Sequence, residues 1–140
     1  MSDLSLAANE RNPLHELAQV ATQIQSGVED LSGYKPLLGD ENVNYVEEGT
    51  HNMMNRVHSI MRDIITKADD DNPLFCRDIR HDLRNQIAVV KGFSELIRLD
   101  LPNSHVASST LDRISKRSRE FVAILDEARD RAEGPMTAYN

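Results

Sequence analysis

The chain of 140 residues has a single cysteine, Cys76, so it has no intrachain disulfide framework. It has no tryptophan and only 4% aromatic residues, which leaves Leu, Ile, Val, Ala and Met to build a core. That composition suits packed helices and is thin for a self-sufficient α/β enzyme. No apolar run approaches the ~20 residues needed to span a bilayer. The stretch Met1 to Asn12 carries Asp3, Glu10 and Arg11 and lacks an apolar h-region, so a signal peptide is not expected. These absences predict a cytoplasmic protein with no membrane insertion. Positive charge is also scarce: the net charge is -7, and the bases are interleaved with acids. A nucleic-acid binder shows a concentrated basic surface, so nucleic acid is not an expected partner.

What is present is helical periodicity, in four segments, without strand alternation. The first runs from about Pro13 to Leu31, with Leu14, Leu17, Ala21, Ile24, Val28 and Leu31 in steps of three and four. Asn12 can cap it, Pro13 fits the first helical position, and Gly33 stops it. A loop is expected over Ser32 to Glu41, punctuated by Gly33, Pro36 and Gly39. The second helix runs from about Val43 to Ala68 on the stripe Val46, Met53, Val57, Ile60 and Ile64, with Gly49 as a weak point. After Asp69-Asp70-Asp71, Asn72 and Pro73 start a third helix from Leu74 to Leu99 or Asp100. The fourth runs from His105 to Ala132 on Leu111, Ile114, Ser118, Phe121, Leu125, Ala128 and Ala132. The short connection between helices three and four makes them antiparallel neighbours. Gly134 and Pro135 are expected to end the last helix and open a linker. The division expected is 1–72 as an N-terminal helical region, 73–133 as a helical hairpin, and 134–140 as a linker or tail.

One helix carries a candidate for chemistry. On a wheel with His81 at zero, Ile79, Leu83, Val90, Ile97 and Leu101 fall between roughly 160° and 200°. The apolar face lies opposite His81, so the imidazole must point into solvent. Arg77, Asp78, Arg84, Asn85 and Ala88 share its outward side. An exposed neutral imidazole is a competent nucleophile near neutral pH. Asp82 is placed to hold the other ring nitrogen, and Asn85, one turn on, to position water or a phosphoryl oxygen. The small Ala88 leaves room for another protein to approach.

The run Arg80-His81-Asp82-Leu83-Arg84-Asn85, followed by Gln86-Ile87-Ala88-Val89-Val90-Lys91-Gly92-Phe93-Ser94-Glu95-Leu96, resembles the H-box of histidine kinases. That box lies in their dimerisation and histidine phosphotransfer domain, and the resemblance covers about Leu74 to Ala132. It implies an all-α fold: two helical hairpins per chain, with helices three and four forming a dimeric antiparallel four-helix bundle. It implies His81 as phosphoacceptor, Asp82 as the acid assisting transfer, and Asn85 in a phosphatase-type role. Arg77, Arg84 and Ala88 would meet the partner, which is a receiver domain or a kinase domain acting in trans on a homodimer. Gln86 stands where the family usually has proline. No Gly-rich phosphate loop accompanies the box, so the chain is not expected to phosphorylate itself, and it calls for no cofactor. The alternative from another class is a non-catalytic helical dimerisation and signal-relay element regulating a downstream effector.

Plainer accounts compete at each position. A lone exposed histidine is most often inert. His15, His51, His58 and His105 make no i, i+4 pair and no cluster with the cysteine, so a metal site is not expected. Met53, Met54 and Met61 read as core filling or a dimer seam rather than a cofactor groove. Arg113, Lys116, Arg117 and Arg119 read first as a solvated helix face, and Asp69 to Asp71 as a solvated linker. The first two helices lie outside the resemblance and are expected to form a signal-input or coiled-coil element.

Overall fold

Helix α1, Pro13–Ser32, begins where the Asn12 side chain accepts a hydrogen bond from the Leu14 amide at 3.0 Å, with Pro13 in the first turn. The computed structural model describes residues 12–66 and 72–137, and among them every regular element is helical. All six positions of the α1 seam, Leu14, Leu17, Ala21, Ile24, Val28 and Leu31, are buried. A four-residue helix, α2, Lys35–Leu38, follows where a loop was expected. Pro36 presets its backbone, and Gly39 leaves it at φ 86°, in the left-handed region that favours glycine. Helix α3 is Asp40–Thr66. Gly49 does not interrupt it: a Cβ there would sit 2.9 Å from Val89 Cγ1, so the glycine permits close approach to the next helix. The acidic run Asp69 to Asp71 and the expected end of this helix at Ala68 lie outside the described residues.

The third expected helix starts later than its cap signal implies. Asn72 accepts from the Leu74 amide at 2.9 Å, but this initiates a 3-10 turn, Pro73–Phe75. Cys76 is extended, and α4 then runs Arg77–Leu99. The turn lets Leu74 become fully buried before the helix starts. The Gln86 position leaves α4 unbroken. Helix α5, Ser108–Thr137, starts three residues after the expected His105, whose Nδ1 instead accepts from the Ala107 amide at 3.0 Å. It also continues past Gly134 and Pro135, which were expected to end it. Pro135 lies within the last turn of Ser108–Thr137, where it forfeits one backbone bond.

Each long helix contacts two others: α1 lies against α3 and α5, and α4 against the same pair. The four therefore close a bundle within one chain, with the aliphatic stripes facing inward. Leu83, Ile87 and Val90 of α4 join Val46, Met53 and Val57 of α3, and Leu111, Ile114, Phe121 and Leu125 of α5, in one core with the α1 seam. The apolar backs of α4 and α5, which the resemblance would set against a second subunit, are here covered by α3 and α1 of the same chain.

Candidate functional site

The N-terminal half of α4 carries the site, and its geometry follows from the period of the helix. Leu83 and Ile87 are buried against the core, so His81 on the opposite side is exposed. Arg77, His81 and Arg84 lie along one stripe and line an open groove of about 500 Å³. Arg80, Arg129 and Glu133 complete its lining. Arg80 is only 5% exposed. Its guanidinium donates to the Leu74 carbonyl at 3.1 Å and to Glu133 Oε2 at 2.8 Å, so a buried charge is both paired and hydrogen-bonded. Arg84 donates to Asp126 at 2.5 Å, across to α5. Arg77 makes no ion pair with the described residues.

The other expected residues turn to different sides of the helix. The Asp82 carboxylate faces α3, where Arg56 Nε donates to it at 2.6 Å, and Gln86 adds a long contact at 3.4 Å. Among the described residues no hydrogen bond joins Asp82 to His81. Asn85 is exposed and lines a groove of about 320 Å³ with Tyr45, Gly49 and Asn52 of α3. Tyr45 stacks on Phe93 there, with ring centroids 4.6 Å apart. Gln86 Oε1 is buried in this region without a hydrogen-bond partner. Ala88 is exposed on the α5 side, in a depression of about 360 Å³ shared with Arg119 and Val122. The structure thus gathers His81, Arg77 and Arg84, and sets Asp82 and Asn85 toward α3.

Sequence reading missed Arg56, Arg80, Arg129 and Glu133. The register of the hairpin held the signal for Arg129. Arg84 pairs with Asp126, Glu95 with Ser115, and Arg98 with Asp112; each pair of numbers adds to 210. An antiparallel hairpin keeps such a total constant, and the same rule sets residue 129 opposite His81. Arg56 carries no comparable signal, because nothing in the first half announces which helix its stripe will meet.

Among the described residues no three His, Cys, Asp or Glu side chains come together as ligands for a metal ion. None of their helices is long and apolar enough to cross a membrane. The Met53 and Met54 side chains are in the core. In the basic stretch of α5, Arg113 pairs with Asp30, Arg117 with Glu120, and Arg119 with Ser115, as on a solvated face. Comparison of the chain with protein-family models, curated proteins and solved structures finds no match.

Proposed function

We propose that the chain is a histidine phosphotransfer module of a two-component type signalling protein, with His81 as its phosphoacceptor. The observation that carries the reading is the exposed imidazole on a four-helix bundle, flanked by Arg77 and Arg84 in a groove open to a partner. In such a step the lone pair of an imidazole nitrogen forms a P–N bond as the P–O bond to a donor aspartate breaks. The reverse step returns the group. Transfer needs alignment and charge compensation more than covalent machinery, which suits a rigid helical display. The phosphoryl group would come from a receiver domain or a kinase domain in trans. Asn85, free on the surface, is the group for a phosphatase-type role. Incubation with a phosphorylated receiver should give an acid-labile label on the parent and none on His81→Ala. No label from any receiver or kinase domain would end the reading.

One observation favours a second reading, a non-catalytic relay. The acid next to the histidine is paired with Arg56 of α3 rather than with the ring. Arg56→Ala separates the two: faster labelling fits an acid released for transfer, and unchanged absence of label fits relay. In either case α1 and α3 form the natural input element, since α3 packs on the helix that bears His81 and α1 packs on α3 and α5. The homodimer implied by the family resemblance would need an outer surface, and the exposed Val89, Leu96 and Leu99 of α4 are the place to seek it. A monomeric mass in sedimentation would remove the dimer and leave phosphotransfer standing.

A further inference from the structure

We infer that the groove beside His81 is a binding site for a small phosphoanion, of the size range from phosphate to an acyl phosphate. Arg77, Arg80 and Arg84 project from α4 with the i, i+3, i+7 spacing of a single stripe, and Arg129 and Glu133 meet them from α5. Four guanidinium groups and one carboxylate line the groove, in a chain whose net charge is -7. The lining is thus positive in a negative chain, with Asp126 and Asp130 at its rim paired to Arg84 and Arg129.

Three further features suit a tetrahedral dianion. Arg80 is fixed in advance by its bonds to Leu74 and Glu133, so ordering it costs little on binding. Arg77 has no ion pair to break among the described residues, and it is the first residue of α4, at the positive end of that helix. Cys76 offers that end no side-chain cap. Arg84 and Arg129 are held only by partly exposed carboxylates: Asp126 at 2.5 and 3.9 Å, and Asp130 at 3.3 Å from Arg129. Such pairs are weak, and a dianion able to accept bidentate bonds from several forks displaces them. The groove volume of about 500 Å³ is that of a small-molecule cleft.

This goes beyond the phosphotransfer reading, because binding requires no bond to His81. An occupied groove would sit in front of the ring and compete with any protein bringing a phosphoryl group to it. Inorganic phosphate titrated into the whole chain at low salt, followed by NMR of the arginine Nε–H and His81 ring signals, tests the site. Saturable shifts in the millimolar range are expected. They should weaken at least about tenfold in Arg77→Glu and Arg129→Glu, stay unchanged in Lys116→Glu, and fade as salt screens the groove. Both arginines are exposed, so the variants should fold, and thermal melts are the check. Absence of saturable shifts in the parent, or equal binding by all variants, overturns the site. Labelling of His81 is read separately. Anion binding without any label leaves this site and removes phosphotransfer, and label without anion binding does the reverse.

Discussion

Gly49 and Gly92 are both helix-interior glycines, and their surroundings demand opposite outcomes from the same substitution. A Cβ on Gly92 meets nothing within 4 Å. Gly92→Ala should therefore stabilise by about 0.5–1 kcal/mol, the backbone entropy a helical glycine forfeits. A Cβ on Gly49 would lie 2.9 Å from Val89 Cγ1 and 3.2 Å from Val90 Cγ2, both on short branched side chains. Overpacking costs roughly 1–3 kcal/mol, which outweighs the gain in propensity, so Gly49→Ala should lose about 1 kcal/mol net. Urea midpoints read both, and a stabilised Gly49→Ala would mean that α3 and α4 are not this close. The Arg56–Asp82 pair is partly exposed, so Arg56→Ala should cost less than about 1 kcal/mol. A large change in His81 labelling with so small a change in stability would belong to the chemistry of the site.

At the level of helices, four were legible because their apolar stripes repeat every three and four residues, and the buried sets of α1 and α5 follow those stripes. Their ends were less legible, for a physical reason. Asn72-Pro73 is a start signal for any turn with free amides, and it cannot distinguish a 3-10 turn from the helix itself. The partners of the stripes were not legible either. A stripe states that a face must be covered, not which helix covers it, so the pairing of the second half with α1 and α3 had no signal. The outward position of His81 was legible, because it follows from phase alone; the turn of Asp82 toward Arg56 was not. The α1 seam should carry much of the stability: Ile24→Ala, at a fully buried position, should cost about 2–5 kcal/mol in urea unfolding. A loss under about 1 kcal/mol would show that α1 is loosely docked.

Glu47 joins three elements, accepting from Lys35 of α2 at 2.8 Å and from Ser32 at the end of α1. The Lys35 hydrogen bond, with that of Ser32, holds its carboxyl below the ordinary value of 4.5, against the opposing effect of burial. A depressed carboxylate stabilises the fold fully above its unfolded value, and that contribution is lost as pH falls through the lower folded value. The urea midpoint should therefore drop as pH is lowered below about 4.5, and Glu47→Gln should flatten part of that drop. An identical acid profile in the variant would show that the contact adds no stability.

For the whole molecule, the closed ring of helices makes the two halves of the sequence interdependent. A fragment beginning at Pro73 would expose Leu83, Ile87, Val90, Ile114, Phe121 and Leu125, which are buried in the whole chain. That face must be covered, so the fragment should self-associate or lose its fixed tertiary packing, as gel filtration and near-ultraviolet dichroism would report. A monomeric, cooperatively folding fragment would contradict the shared core.

The ring also has a consequence for dilution. A bundle assembled from two molecules melts at lower temperature as it is diluted, because mass action favours the separated strands. Here every stave of the barrel belongs to the same polypeptide, so the melting temperature of the core should be indifferent to how many neighbours a molecule has. The shape that holds the imidazole outward therefore persists however dilute the protein is.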